Sequence, residues 1–185
     1  MRPASPEYLE RAAQFYLSRY ASSVSNFKSV LQRKVRRRGL PEGAGEDEAT
    51  AWIDAIAARF VAAGLLDDGV YGRARVASQR RKGRSRRAIE ADLRRKGLSP
   101  ALIEDLLVEA VGEGADPEKA AAVAFAQRRR LGPFSRTEPK EPARERQRAL
   151  AAFARAGFRY ALARRVLDLE NIAAAEAMIR EDHEG

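Results

Sequence analysis

The sequence contains no cysteine and a single histidine, and these two shortages exclude most kinds of catalytic or metal site. Without thiols the chain cannot form disulfides, a thiolate metal site or a cysteine nucleophile. The lone His183 argues against a histidine-based zinc site and against a Ser-His-Asp triad. A glycine-rich phosphate loop is also missing, because the GEGAD sequence at 112–116 lacks the lysine and the Ser/Thr that follow in such loops. We therefore predict a protein that is not an enzyme and that holds no metal and no cofactor.

Long hydrophobic runs and aromatic residues are also scarce. No stretch approaches the roughly 18 apolar residues that span a bilayer, and the first residues carry acids where a signal peptide has a continuous apolar run. Aromatic residues make up only 7% of the chain, and no alternating strand pattern occurs. Such a composition, rich in Ala, Arg and Glu, favours helices that pack through small side chains. We expect a soluble, cytoplasmic protein of the all-α class.

Positive charge, by contrast, is abundant. The formal net charge is +9, and residues 73–96 alone hold eleven Arg or Lys and two acids. Such a segment attracts a polyanion, either a phosphate backbone or an acidic protein groove. The alternative is that the charge only keeps the protein soluble. Because apolar residues such as Val76, Ile89 and Leu93 recur within the segment, we expect it to fold and to present its charge on a fixed face.

Apolar residues recur at three- and four-residue steps along the chain, which predicts ten helices. The clearest helix starts are the pairs at 99–100 and 116–117, where a capping oxygen precedes a proline. Asp67 and Ser85 are predicted as further caps, and the proline-rich segment 132–142 is predicted as a loop. The predicted helices cover approximately residues 6–20, 26–38, 47–63, 68–82, 85–96, 100–111, 117–130, 143–156, 159–168 and 169–181.

Three glycines indicate an internal repeat. Gly39, Gly97 and Gly157 each follow a predicted helix with cations near its end, and they lie 58 and 60 residues apart. This spacing predicts an elongated array of tandem three-helix units. The alternative is that each glycine is an ordinary helix C-terminus. The predicted borders are an N-terminal helix at 1–24, three-helix repeats at 25–83 and 84–131, the loop at 132–142, and a third repeat with an acidic tail at 143–185.

Charge alternates with nearly the same period as the glycines. Residues 28–39, 73–96 and 128–165 are basic, whereas 42–68 and 104–118 are acidic. Stacked repeats place equivalent helices on equivalent sides. We therefore predict that the first helices of the three units line one long basic face.

Three short motifs follow one another in the first two thirds of the chain. The first is YLSRY at 16–20, with Ser25 before a helix that ends in a basic run and a glycine. The second is GLLDDGVY at 64–71, an apolar-Asp-Asp signature before a helix that begins with an aromatic residue. The third is a glycine, isoleucine, acidic-Leu and Lys-Gly pattern between 83 and 98. In their order and spacing these motifs resemble the RecX family of regulators of the RecA recombinase.

The resemblance implies an elongated, all-helical protein of three three-helix units that binds within the helical groove of the RecA–DNA filament. It implies that the protein bridges RecA protomers, limits filament growth and restrains strand exchange, ATP hydrolysis and co-protease action without chemistry of its own. DNA is then an auxiliary contact, no membrane is involved, and the protein is expected to be a monomer. Gly72 and Leu98 depart from the family pattern, in which alanine and isoleucine are usual.

The candidate binding site consists of cations in three basic runs. Six of them flank Gly83, which is expected to let the backbone approach a polyanion closely; the alternative is a solvated corner between two helices. A second hypothesis for the whole chain is a basic helical-repeat protein that binds single- or double-stranded nucleic acid directly. The predicted contacts to the RecA filament or another polyanion are Lys34, Arg36, Arg37, Arg38, Arg80, Arg81, Lys82, Arg84, Arg86, Arg87, Arg94, Arg95 and Lys96.

Several other residues are interpreted as structural. Asp67 and Asp68 supply too few ligands for a metal, so a helix cap is the favoured interpretation of this pair. Trp52 lies among apolar helix neighbours, which favours a core position over a base-stacking platform. Glu90 and Asp92 are two residues apart and point to different helix faces, so they do not form a shared acid-base pair.

Overall fold

The structure is a computed structural model, and it describes residues 3–111, 116–136 and 141–180. Every regular element in these ranges is helical, which confirms the predicted all-α class. A 3₁₀ turn at Gly132–Phe134 was not predicted. His183, most of the GEGAD sequence, the middle of the proline-rich segment and the end of the acidic tail lie outside the described residues. The helices are α1 (Pro6–Leu17), α2 (Val24–Arg38), α3 (Glu46–Ala62), α4 (Asp68–Arg81), α5 (Arg86–Arg95), α6 (Pro100–Glu109), α7 (Pro117–Arg129), α8 (Pro142–Arg155), α9 (Tyr160–Leu167) and α10 (Ile172–Arg180).

The predicted helix caps are present. The side chains of Asp67, Ser85 and Ser99 each accept a hydrogen bond from the backbone N–H three residues further on, at 2.9, 3.1 and 3.3 Å. Asp116 accepts from the N–H two residues further on, at 2.9 Å. Each bond satisfies one of the N–H groups that a helix start leaves without an intrahelical partner. The starts of α4 to α7 are therefore determined by local sequence.

Two helices are three residues shorter than predicted at one end. Helix α1 ends at Leu17 and not near residue 20, although the ring of Tyr20 still lies 5.4 Å from that of Tyr16. The apolar spacing thus continues beyond the end of the helical backbone. Helix α10 begins at Ile172 and not near 169, because Asn171 accepts a 2.9 Å hydrogen bond from the third N–H after it and caps the helix there.

The chain forms two compact units. Unit 1 comprises Met1–Gly72 and Arg94–Leu102, and unit 2 comprises Arg73–Leu93 and Ile103–Gly185. The borders fall inside α4, α5 and α6, so each of these helices contributes residues to both units. The repeat borders inferred from the glycine spacing stay a prediction.

Unit 1 has a core formed by α1, α2 and α3. Phe27 and Phe60 are buried with ring centroids 5.7 Å apart, and Leu9 and Leu31 pack into the same cluster. Trp52 is half-buried against this core, as predicted. The burial of these large apolar side chains is the main favourable term in holding the three helices together.

Unit 2 has its own core, which contains a cluster of three phenylalanines. The rings of Phe125, Phe153 and Phe158 lie 4.9–5.5 Å apart, and Phe153 meets each of the other two edge-on. Val166 and Met178 complete the buried cluster from α9 and α10. Such aromatic pairs add directional preference to the hydrophobic burial, and this cluster positions α7 and the α8–α9 turn next to the basic corner described below.

Two kinds of feature are absent from the part of the chain that the structure describes. No helix there is long and apolar enough to cross a membrane. No group of three or more His, Cys, Asp or Glu side chains there is arranged to hold a metal ion.

Candidate polyanion-binding corner

The three predicted basic runs lie at different helix ends, two of them in unit 1 and one in unit 2. Lys34 to Arg38 form the C-terminal end of α2, and Arg94 to Lys96 form the end of α5; both lie in unit 1. The third run, residues 80–87, forms the turn between α4 and α5 and lies in unit 2. Each unit therefore carries its own set of cations.

Within unit 1 the two basic runs do not come together. The hydroxyl of Ser23 donates a 2.5 Å hydrogen bond to the carbonyl of Lys96, and the Lys96 ammonium donates to Asn26 at 3.5 Å. Lys96 is thus held at the N-terminal end of α2, whereas Arg36 and Arg38 lie at its C-terminal end. With a rise of 1.5 Å per residue, about 15–18 Å of helix separates them. The two runs therefore lie at opposite ends of α2, and the continuous basic face stays a prediction.

One of the predicted contacts in α2 has an internal role. The guanidinium of Arg38 lies 3.9 Å from the ring centroid of Tyr8 in α1, a cation–π contact that helps to hold the two helices together. Lys34 is half-buried, whereas Arg36 and Arg37 are exposed. Only part of this run is therefore available to a partner.

At the α4–α5 turn, two of the six predicted cations are taken up by acids. Arg80 forms a 3.0 Å ion pair with Glu118, and only 13% of its side chain is exposed. The same Glu118 oxygen accepts the backbone N–H of Arg86 at 2.8 Å, and the guanidinium of Arg86 pairs with both oxygens of Glu104 at 2.8 Å. In the folded chain α6 and α7 thus bring carboxylates to these two cations, whose predicted contact with a partner stays a prediction.

The other four cations of the turn stay exposed, and we call them the exposed corner: Arg81, Lys82, Arg84 and Arg87. Arg84 donates a long, 3.3 Å hydrogen bond to Gln79. Across residues 3–111, 116–136 and 141–180, no acid forms an ion pair with any of the four. The structure therefore concentrates four solvent-facing positive charges within seven residues of an ordered turn.

Gly83 does not have the role that its position suggested. It is buried under α7, and a Cβ atom placed on it would lie 2.9 Å from the Ala124 Cβ and 3.1 Å from the Ala121 carbonyl oxygen. Its own carbonyl accepts a 3.4 Å hydrogen bond from Arg128. The close backbone approach is thus to α7 and not to an anion, and the prediction is corrected on this point.

A groove of about 480 Å³ lies beside the exposed corner. Arg81, Lys82 and Arg84 line one part of it, and Phe125 and Phe158 contribute to its apolar part. A further cation in its lining, Arg128, lies near the end of α7 and donates to the carbonyls of Lys82 and Gly83. Sequence reasoning did not select Arg128, although the run of three arginines at 128–130 resembles the other basic helix ends.

A hydrogen bond from a capping serine to the end of another helix occurs once in each unit, and we call this contact the joint. The joint of unit 2 holds the corner in place. In unit 2 the hydroxyl of Ser85, which caps α5, donates a 2.6 Å hydrogen bond to the carbonyl of Ala156 at the end of α8. Gly157 follows and packs onto the serine, so that a Cβ there would lie 2.7 Å from the Ser85 Oγ. The sequence repeat contained Gly157, but nothing in it indicated which side chain the glycine would meet.

In unit 1 the same arrangement links α2 and α5. Ser23 caps α2 and donates to the carbonyl of Lys96, and a Cβ on the following Gly97 would overlap the side chain of Ser25. In both joints a capping serine binds the last carbonyl before the glycine that ends another helix. Two of the three glycines in the predicted repeat, Gly97 and Gly157, therefore have equivalent structural roles.

A buried ion pair connects α4 and α5. Asp92, which is 7% exposed, accepts hydrogen bonds from the Arg75 Nε at 2.6 Å and from the Gln79 amide at 3.0 Å. Its carboxylate is thus used to pack the helices on either side of the corner. This agrees with the interpretation that Glu90 and Asp92 are not a shared acid-base pair.

The fold and the corner define an all-helical protein that presents a rigid cationic surface. A family model described as "RecX, second three-helix domain" matches residues 67–107, a range that contains α4, α5, most of α6 and the exposed corner. The glycine spacing instead places α5, α6 and α7 in its second repeat. The Regulatory protein RecX of Myxococcus xanthus (strain DK1622) is 42% identical over 90% of this chain and 88% of its own length. That of Thermobifida fusca (strain YX) is 32% identical over 91% and 86%.

The chain belongs to the RecX family, as the sequence motifs predicted. Its relatives are named as regulatory proteins, and the predicted context of DNA repair and recombination fits this family. A crystal structure of regulatory protein RecX matches 89% of this chain and 72% of its own length with a TM-score of 0.64 and 19% identity. The crystal structure of RecX from Lactobacillus salivarius matches 88% and 96% with a TM-score of 0.61 and 18% identity. These two similarities establish the fold alone.

Proposed function

We propose that this protein binds the RecA–DNA filament and restrains RecA activity without chemistry of its own. In this proposal the exposed corner contacts the acidic protein surface or the phosphates that line the filament groove. The observation that carries the proposal is the exposed corner itself: four cations without an acidic partner in the described residues, on an ordered turn of a RecX-family chain. The protein acts as a monomer in the cytoplasm, where RecA and DNA are found.

The corner suits a partner with concentrated negative charge. Four like charges within seven residues repel one another, and an anionic surface relieves this repulsion on binding. The turn is already held by the Ser85 joint and by Arg128, so little conformational entropy is lost when a partner binds. The attraction is long-range and therefore depends on ionic strength.

The basic ends of α2 and α5 are proposed as further contacts. Arg36 and Arg37 are exposed, as are Arg94 and Arg95. A filament offers the same acidic and phosphate groups at regular intervals, so separate cationic patches of one protein can each find a partner. Several such contacts would bind more than one RecA protomer. DNA remains an auxiliary contact in this proposal.

The test measures RecA ATP hydrolysis on single-stranded DNA while the protein is titrated in. We expect inhibition at protein concentrations well below those that coat the DNA. The variant Arg84→Glu/Arg87→Glu should lose at least about tenfold in inhibitory potency, because two attractive charges become repulsive. The matched control Arg33→Glu/Arg148→Glu changes the net charge equally at exposed helix positions outside the corner and should inhibit like the unmodified protein.

Two results would contradict the proposal. Inhibition that begins only when the DNA is saturated would favour the second hypothesis, direct binding to nucleic acid. Equal loss in the corner variant and in its control would assign the effect to overall charge rather than to the corner. Circular dichroism of both variants confirms that helicity persists.

A further inference from the structure

The groove beside the exposed corner combines a cationic rim with an apolar lining. Its rim carries Arg81, Lys82 and Arg84, and its lining also contains the aromatic residues Phe125 and Phe158. No carboxylate is among the described residues that line it. Its volume of about 480 Å³ is within the range of roughly 300–1,000 Å³ that is usual for sites of small ligands. The groove therefore suits a ligand with one anionic and one flat apolar part.

We propose that this groove binds one nucleotide of single-stranded DNA, with the phosphates on the rim and the base against the phenylalanine edges. Each unit of a nucleic acid strand supplies a phosphate and an apolar base at a fixed separation. An acidic peptide offers its carboxylates on flexible side chains and supplies an apolar group only where its sequence has one. Because every base has an apolar face, contacts of this kind tolerate any base sequence.

The apolar part of the groove selects single strands over duplexes. Phe125 and Phe158 are only 9% and 6% exposed, so a base reaches them only by entering the groove. In a duplex the bases are paired and stacked, and the backbone phosphates are the groups that meet the rim. Duplex DNA thus gains the electrostatic contacts without the apolar contact.

The walls of the groove are ordered before a ligand arrives. Arg128 donates to the carbonyls of Lys82 and Gly83, and Ser85 donates to Ala156, which also lines the groove. These bonds connect the α4–α5 turn to α7 and to the end of α8. A preformed site loses less entropy on binding than a flexible one. The assignment rests on the proposed function for its biological setting, because single-stranded DNA is a component of the RecA filament.

The experiment uses the purified full-length protein and DNA without RecA. Fluorescence anisotropy compares a labelled oligothymidylate, an abasic oligomer with the same number of phosphates, and a duplex of the same length. We expect the oligothymidylate to bind about fivefold or more tightly than the abasic oligomer, because only the former supplies bases. The duplex should behave like the abasic oligomer. Equal affinity for the oligothymidylate and the abasic oligomer would overturn the proposal.

The protein side is tested with Lys82→Gln/Arg84→Gln, which removes two rim cations and leaves Arg128 and the phenylalanine cluster intact. The slope of log K against log salt for single-stranded DNA should fall by about 1.4, since each phosphate contact contributes roughly 0.7. The control Arg33→Gln/Arg148→Gln should retain the slope and the preference for bases. Identical slopes in both variants would also overturn the proposal.

Two further measurements separate this proposal from its alternatives. If a peptide of glutamates with one phenylalanine binds in a manner that requires Lys82 and Arg84, while oligothymidylate does not, the groove is a peptide site and the nucleotide proposal fails. If all DNA binding is independent of the groove but RecA ATP hydrolysis is still inhibited at low protein concentration, the nucleotide proposal fails and the proposed function stands.

Discussion

The Ser85 hydroxyl donates a 2.6 Å hydrogen bond to the carbonyl of Ala156, which lies 71 residues further along the chain. This single bond fastens the end of α8 to the start of α5 and places Gly157 directly over the serine. Because Ser85 also accepts the N–H of Ala88, one buried hydroxyl satisfies a helix start and a helix end together. The basic corner is attached to the end of α8 as a result.

The first prediction concerns the joint. Ser85→Ala removes a helix cap and leaves a carbonyl without its donor, so the free energy of unfolding should fall by about 2 kcal/mol. Ser99→Ala is the matched control, because Ser99 caps α6 from an exposed position, and it should cost only about 0.5–1 kcal/mol. Urea unfolding followed by circular dichroism measures both. Equal costs would show that the bond to Ala156 adds nothing to the cap.

The second prediction separates backbone strain from crowding at a glycine. Gly157 has a φ of +88° and packs on Ser85, whereas Gly43 has a φ of +84° with no atom within 4 Å of a Cβ position. Gly43→Ala should cost about 1 kcal/mol, from the left-handed backbone alone. Gly157→Ala should cost about 2 kcal/mol or more, since the new methyl group also displaces the serine.

Thermal unfolding of the two glycine variants gives the comparison. A larger loss of stability at Gly43 than at Gly157 would contradict the packing seen in the joint. Loss of stability at Gly157 alone would mean that the loop around Gly43 relaxes its backbone at no cost.

The third prediction compares a buried ion pair with an exposed one. Asp92→Ala leaves Arg75, whose side chain is 35% exposed, and the buried Gln79 without their shared acceptor, and we expect a cost of about 2 kcal/mol. Asp54→Ala removes the acid of a surface pair with Lys28, in which the aspartate side chain is 52% exposed, and should cost at most about 0.5 kcal/mol. Chemical denaturation distinguishes the two. Similar losses would argue against the buried position of Asp92.

The fourth prediction concerns pH. A hydrogen bond from the Arg146 guanidinium, 2.6 Å away, lowers the pKa of Asp168 below its ordinary value, with Coulombic attraction from Arg146 and Arg164 in the same direction. When the pKa of a carboxyl group is lower in the folded protein than in the unfolded chain, the group stabilises the fold at pH values above its pKa in the unfolded chain. This contribution is lost as the pH falls through the folded pKa.

Arg146→Gln should therefore raise the pKa of Asp168 toward that of an exposed aspartate. Titration of the Asp168 carboxyl carbon by NMR measures the shift. The control is Arg144→Gln, because the guanidinium of Arg144 pairs with Glu141 at 3.2 Å and not with Asp168. A pKa of Asp168 that is the same in the unmodified protein and in Arg146→Gln would refute the role of Arg146.

The helices could be predicted because their signals are local. The caps at Asp67, Ser85, Ser99 and Asp116 lie two or three residues from the N–H groups that they bind, so the sequence alone shows both partners. The apolar spacing was less reliable at helix ends, as Tyr20 shows, because a side chain can continue a pattern after the backbone has left the helix.

The candidate site could be predicted only in part, because its charges are paired over long distances in the chain. Arg80 meets Glu118, 38 residues away, and Arg86 meets Glu104, 18 residues away. No local pattern reveals that these two arginines are occupied while Arg84 between them stays exposed. The same limit applies to Arg128. In the sequence it is one cation of a basic run, and only the packing of α7 on Gly83 shows that it binds the carbonyl of Gly83.

The sequence by itself determined the all-α class, the approximate positions of the helices that the structure describes, the basic composition of the α4–α5 turn and the resemblance to the RecX family. These features depend on residue types and on spacings of a few residues, which the chain shows directly. Only the tertiary structure decided which cations are exposed, which pair with acids, and that Gly83 serves helix packing. Those outcomes depend on contacts between residues 18 to 71 positions apart, and such contacts exist only once the helices have packed.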